Sequence, residues 1–348
     1  MPRLIDVIPR VFESIQARMT SEMPVGLSTG LPQLDEMLGG GWNRQELTYL
    51  VGDSGVGKSW LTLWWILVGA KWLAEHPDER PMSGYIVLDS DDEIRQHIHQ
   101  KEGKLPIILF WSLEMAELPV VVRLLTQTAK LVTGEDFDST KLKRGDFGTP
   151  TTPLSHDIED QEWQQRAKDL YFAYLTLHTK WAKHIIAEFN TRSIDDFADI
   201  LDETARHFDI VMIVVDYFRL IDESRSEGNV VASQEERSRQ LSGIAKDYDC
   251  HVLAVFDINR LGERAKRVGL QHMRGGVAAK YDADTVLILE RGDKPDRIVN
   301  EYPIEVRLVL KMEKNRFGKQ GSLQLHMNLA TGHVEQWFMR EGGKDADN

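Results

Sequence analysis

The sequence has 348 residues, with 42 Lys and Arg against 55 Asp and Glu, for a formal charge of -13. This balance excludes a protein that coats nucleic acid by bulk electrostatics, although it leaves room for a local basic loop. A single cysteine, Cys250, excludes an intrachain disulfide, and the most apolar run, Trp60 to Ala70, is far shorter than the roughly 20 residues of a bilayer span. One large α/β domain with appendages, placed in the cytoplasm and away from membranes, is expected.

In chain order, Leu4, Ile5, Ile8, Val11, Phe12, Ile15 and Met19 recur at helical spacing, which predicts an amphipathic helix within a separate module over 1–22. That pattern is not the continuous apolar run of a secretory leader. After the loop TSEMPVGLSTG, the stretch ELTYLVG reads as a buried strand and SWLTLWWILVGAKWLAE as a core helix. Between them lies GDSGVGKS, a complete G-x-x-x-x-G-K-S pattern. In such a turn the backbone N–H groups and the positive end of the helix converge on an anion. Gly52, Asp53, Ser54, Gly55, Val56, Gly57, Lys58, Ser59 and Trp60 are therefore the expected nucleotide-binding residues. Lys58 reaches the β and γ phosphates of ATP, and the Ser59 hydroxyl ligates Mg²⁺.

Two further apolar runs, Tyr85–Leu88 and Pro106–Trp111, flank an acidic segment that carries Asp91, Asp92, His97 and His99 without the spacing of a metal site. A helix over 120–132, a Gly/Pro/Thr-rich loop GTPTTPLSHD and helical structure over 158–186 follow. SIDDFADILDETARHF is an amphipathic helix capped by Ser193, and it leads into DIVMIVVDYFRLI, which reads as a central strand buried on both faces. A helix over 233–247, strands over 251–256 and 284–290 and a terminal antiparallel pair complete an alternating α/β pattern. Cys250, just before a strand, reads as a small buried thiol. The tail over 339–348 is polar and expected to be disordered.

Cleaving a nucleoside triphosphate requires a group to deprotonate water and an anchor for Mg²⁺. Asp216 ends its apolar strand at the edge where α/β sheets bind ligands, and it fits the metal role. Its neighbour Tyr217 is not a second carboxylate, so the base is expected from Glu114, at the end of IILFWSLEM.

With these motifs in place, the chain resembles the C-terminal ATPase domain of the DnaB replicative helicases, a RecA-like P-loop NTPase core. The resemblance runs in order through GLSTGLPQLDEMLGGGWNRQELTYLVGDSGVGKS, FWSLEMAELPVVVRLL, TGEDFDSTKLKRGDF, VDYFRLI, FDINRLGER, MRGGVAAKYDAD and KNRFGKQG. It implies a mostly parallel sheet flanked by helices with a terminal antiparallel hairpin, over an ATPase domain at 23–338 with insertions at 81–105 and 145–190. It further implies a homo-hexameric ring on single-stranded DNA, partnered by replication or loader proteins, with the first helix docking on a neighbouring subunit. By the same resemblance Lys314 and Arg316 reach into the next subunit's site. Arg264, Arg267, Arg274, Gly275 and Gly276 then face DNA, in the one strongly basic stretch, which also holds Arg260, Lys266 and Lys280.

The family has Gln at the positions of Arg219 and Asp257, and an Asp near a phosphate is repelled unless Mg²⁺, water or Arg219 intervenes. Two other readings stay open, the second of them because of these departures. One is a recombination ATPase, since the sequence is also similar to the RadA and KaiC group, and the other is a nucleotide-gated DNA scaffold or loader that does not unwind.

Overall fold

A computed structural model describes residues 26–77, 101, 103–146, 161–221, 230–258, 269, 281–299 and 302–337. The helix expected over 3–19, the run Tyr85–Leu88, His97, His99, the basic residues from Arg260 to Lys280 with Gly275 and Gly276, and the tail over 339–348 lie outside the described residues.

The chain alternates helices and strands. Helix α1 (Pro32–Met37) precedes β1 (Leu47–Gly52), α2 (Lys58–Glu75), β2 (Leu105–Ser112), α3 (Glu117–Thr133) and the short α4 (Ser139–Leu142). Helix α5 (Gln161–Thr176) passes through a π turn and a 3-10 turn into β3 (Ile185–Glu188). Then come α6 (Ile194–His207), β4 (Phe208–Asp216), α7 (Val230–Asp247) and β5 (His251–Asp257). Four strands follow: β6 (Thr285–Val299), β7 (Tyr302–Asn315), β8 (Gly321–Asn328) and β9 (Val334–Trp337).

Among the described residues, nine strands form one sheet in the order β3-β2-β4-β5-β1-β6-β7-β8-β9. Pairing is parallel from β3 to β6 and antiparallel from β6 to β9. The alternation of side chains across each strand divides the core in two. Leu50, Ile108, Phe110, Met212 and Val214 face α2 and α3, whereas Tyr49, Val51, Leu109, Trp111, Ile213 and Val215 face α6 and α7. Burial on both faces explains why these strands read as continuous apolar runs. Helix α2 is apolar almost all round because it lies between the sheet and other elements, with Trp65 edge-to-face on Trp42 at 5.0 Å.

Local signals mostly act as expected. Ser193 caps α6 by accepting from the Asp196 N–H at 3.3 Å, and Cys250 is buried, its thiol pushed up to about 12 by that burial. Two expectations change. The helical structure expected over 158–186 runs from Gln161 to His184, as an α-helix, a π turn and a 3-10 turn, and gives way to a strand because Ile185 and Ile186 pair with Ile108 and Leu109 and cover the outer edge of β2. The terminal antiparallel pair is a four-strand array, and β6 runs on to Val299 rather than stopping near 290, through register shifts against β7.

At the N-terminal ends of the strands, the Arg44 guanidinium forks onto both oxygens of Asp209 at 2.9 and 2.7 Å. Lys101 joins Asp209 at 3.2 Å and Asp249 at 3.0 Å. The four charges are buried or nearly so and mutually compensated, so they fasten that edge and leave the opposite one for ligands. No helix among the described residues is long and apolar enough to cross a membrane.

Candidate nucleotide site

Strand register assembles the site. Gly52 on β1 is level with Asp257 on β5, and Ser112 on β2 is level with Asp216 on β4, so all four sit at the C-terminal edge of the parallel sheet. Helix α2 begins there, its N-terminus facing the same edge.

The glycine-rich turn has the geometry its sequence requires. Gly57 has φ 113°, a backbone angle that demands glycine, and a Cβ at this position would also press on the flexible Met327 side chain, 2.8 Å from Sδ. Lys58 Nζ donates to the carbonyls of Gly52 at 2.9 Å and Asp53 at 2.8 Å, and it ion-pairs with Asp257 Oδ1 at 3.0 Å. Arg291 on β6 donates to the Gly55 carbonyl at 3.0 Å, bracing the loop from outside.

Glu114 and Asp216, far apart in sequence, are tied through backbone. The Asp216 carbonyl accepts from the N–H groups of Leu113 at 2.7 Å and Glu114 at 3.3 Å. Asp216 is buried, and neither carboxylate oxygen has a full hydrogen bond. Burial pushes its carboxyl up to about 6, with Glu114 adding to the rise and the Ser59 hydroxyl, Lys58 and Arg123 opposing it.

These groups open onto a cavity of about 360 Å³. Of the residues expected from sequence, Ser54, Gly55, Gly57, Lys58, Ser59, Trp60, Glu114 and Asp216 line it. Gly52 and Asp53 contribute the carbonyls that hold Lys58, and the Val56 side chain turns into the core beneath the loop. Arg123, Tyr217, Asp257 and Leu329 also line the cavity.

Arg123 was not singled out by sequence. It lies on α3, the helix leaving the Glu114 turn, with its guanidinium 4.7 Å from the Trp60 ring centroid and Nη1 3.1 Å from Met115 Sδ. Burial lowers its pKa, against the opposing pull of Asp216 and Glu114. A cation on the first turns of the helix that follows the candidate base Glu114 is the signal that could have found it. Asp257 was read as needing Mg²⁺, water or Arg219 for company. Its ion-pair partner is Lys58, a pairing set by the β1–β5 register.

Lys314 and Arg316 are not in this cavity. Lys314 donates to the Ala283 carbonyl at 2.5 Å, and Arg316 to Asp284 Oδ1 at 2.6 Å, both beside the start of β6 at the other edge of the sheet. The expected DNA-facing residues, Arg264, Arg267, Arg274, Gly275 and Gly276, lie outside the described residues.

Among the described residues no group of three or more His, Cys, Asp or Glu is placed to enclose a metal. The donors present suit Mg²⁺ nonetheless. That cation keeps several waters and takes one or two protein oxygens beside phosphate, and the buried Asp216 oxygens without full hydrogen bonds, with Ser59 beside them, supply those.

A sequence model described as the DnaB-like helicase C-terminal domain matches residues 26–336. The chain is 25% identical over 332 residues to a replicative DNA helicase DnaB of Treponema pallidum (strain Nichols), covering 94% of this chain and 60% of that one. It is 24% identical over 255 residues to a probable plasmid replicative DNA helicase of Chlamydia psittaci, covering 73% of this chain and 49% of that one. The chain thus spans about half to three-fifths of the length of these relatives. Among solved structures, the ATPase domain of G40P superposes with a TM-score of 0.70 at 17% identity, covering 96% of this chain and 98% of that one. A DnaB-like replicative helicase, solved in a study of its interactions with primase, gives 0.70 at 17% identity over 95% of this chain and 68% of that one. At such identity these two likenesses establish the RecA-like fold.

Proposed function

The chain belongs to the DnaB-like helicase C-terminal domain family, and from that premise we propose that it is an ATP-driven helicase or translocase that works on single-stranded DNA as a ring. Hydrolysis takes place between subunits of a homo-oligomer, most simply a hexamer, in the cytoplasm. Replication or loader proteins are its partners.

Each residue has a role that follows from its place. The turn from Gly52 to Trp60 cradles the phosphates, and Lys58 neutralises the terminal ones. Glu114, exposed and beside the cavity, orients and deprotonates the attacking water. Ser59 and Asp216 hold Mg²⁺, which when bound offsets charge on the β and γ phosphates. Lys314 and Arg316 serve the next subunit's site, and Arg264, Arg267, Arg274, Gly275 and Gly276 grip the DNA backbone.

One observation carries the reading: Lys58, Ser59, Glu114 and Asp216 share a single cavity, while Arg316 stands at the opposite edge of the same sheet. A site that lacks its own finger is complete only between two chains, which links turnover to ring geometry. The test is ATP hydrolysis by the purified chain with and without single-stranded DNA, alongside Lys58→Ala and Glu114→Gln. DNA-stimulated turnover, loss of ATP binding in the first variant and retention of unhydrolysed ATP in the second support the motor. Turnover indifferent to DNA refutes it and favours the scaffold reading, for which the Asp257 carboxylate on Lys58 is the specific observation.

A further inference from the structure

Lys58 has three N–H donors, and all three are taken within the chain: two by the carbonyls of Gly52 and Asp53, the third by Asp257 Oδ1 at 3.0 Å. The two carbonyls belong to the turn itself. Asp257 does not; it arrives from β5 and is held level with Gly52 by six consecutive residue pairs along β1 and β5. Lys58 is nearly buried, and Asp257 is one-quarter exposed on the cavity wall. Among the described residues no ion pair joins Asp257 to Arg219, and Lys58 is the cation it pairs with.

We infer that Asp257 is a tethered competitor for the phosphate-binding ammonium, so that nucleotide enters only by displacing a carboxylate of the same chain. The inference rests on the reading of Gly52–Ser59 as a phosphate cradle. An anion already seated on Lys58 stabilises the empty site, and every nucleotide affinity is reduced by the share of molecules in that locked arrangement. The effect is largest for a nucleotide with little else to offer Lys58. After the γ phosphate has left, Asp257 recaptures the ammonium and speeds release of the diphosphate. A Gln here could neither ion-pair with Lys58 nor repel a phosphate, so the acid gives this chain a weaker grip on ADP.

The experiment measures Mg·ADP binding and dissociation by the full chain, wild type against Asp257→Asn and Asp257→Ser, with Asp257→Glu as the charge-retaining control. Removing the charge should tighten Mg·ADP binding by about two- to fivefold, the scale of one partly exposed ion pair, mainly through slower dissociation. Asp257→Glu should stay near wild type. Unchanged or weaker binding in both neutral variants, each folded by circular dichroism, overturns the inference. Lys58→Ala separates this failure from that of the underlying reading. If it binds Mg·ADP as wild type does, the phosphate-cradle assignment falls and the inference with it. If it loses binding while the neutral Asp257 variants fail to tighten, only the competitor role falls.

Discussion

Arg316 donates to Asp284 at 2.6 Å, and Asp284 is itself fastened to the first residue of β1, accepting from the Leu47 N–H at 3.0 Å and donating to the Leu47 carbonyl at 2.8 Å. Leu47 and Gly52 are the two ends of β1. At the usual rise of a strand, about 3.3 Å per residue, Arg316 is anchored about 17 Å from the turn that begins at Gly52. Its guanidinium is half exposed and, among the described residues, bonded only to this edge. Serving another copy's phosphates requires exchanging Asp284 for phosphate, which a planar fork does well.

Arg316→Ala should therefore lower ATP turnover by about 10³-fold while leaving nucleotide binding by the isolated chain intact. Mixed with Glu114→Gln subunits it should regain activity, because some junctions then pair an intact Glu114 with an intact Arg316. Turnover measured across mixing ratios checks this: a curve with no maximum between the two pure variants rules out a shared site.

Much of this arrangement was legible in sequence because the chemistry is local there. The turn from Gly52 to Ser59 declares itself by residue type and spacing, and Asp216 by closing an apolar run. What escaped depends on register. The pairing of Lys58 with Asp257 exists only because β1 and β5 are neighbours with Gly52 opposite Asp257, and no local pattern encodes which strands are neighbours. Strand β3 escaped for a related reason. Ile185–Glu188 is too short to show an alternation, and its identity as a strand comes from the edge of β2. The buried cluster of Arg44, Asp209, Lys101 and Asp249 joins four distant segments whose charges look like ordinary surface residues one at a time.

Arg123 gives a test of catalysis within one subunit. Its guanidinium lies over Trp60 in the cavity, with no carboxylate of the described residues within ion-pair distance, yet under the pull of Asp216 and Glu114. A preorganised cation beside reacting phosphates contributes to the transition state without rearrangement. Arg123→Gln should lower kcat by about 10²-fold with little change in KM, and Arg123→Lys should recover part of the loss. Equal loss in both variants, with KM rising in step, assigns Arg123 to packing alone.

His251 predicts how the fold responds to acid. The ring is buried, Nδ1 is 2.8 Å from the Asn43 carbonyl, Trp42 lies against it, and burial holds its pKa down at about 4 against an ordinary 6.5. The unfolded chain therefore takes up a proton near 6.5 that the folded chain refuses until about 4. The stability this site contributes is complete above 6.5 and is lost as pH falls to 4, by at most about 3 kcal/mol. His251→Gln carries no such proton, so urea unfolding followed from neutral pH downward should show a flatter acid limb for the variant. Parallel limbs would mean that the buried imidazole does not set the acid response.

Asp216 sets function against stability in the empty protein. Its two oxygens lack full hydrogen bonds, and the burial that pushes its carboxyl up to about 6 marks the ionised form as costly at neutral pH. A buried acceptor left without partners costs about 1–3 kcal/mol, and more when charged. Asn has nearly the same shape, keeps one acceptor, adds a donor and removes the charge. Asp216→Asn should thus melt at a higher temperature than wild type when no nucleotide is present. The order should reverse with Mg·ATP analogue added, since wild type gains stabilisation from metal and nucleotide together and the variant from nucleotide alone. Differential scanning calorimetry in the two conditions, with ATP turnover measured alongside, gives the answer. A variant that melts lower than wild type without ligand, or that still hydrolyses ATP at the wild-type rate, removes Asp216 from the metal site.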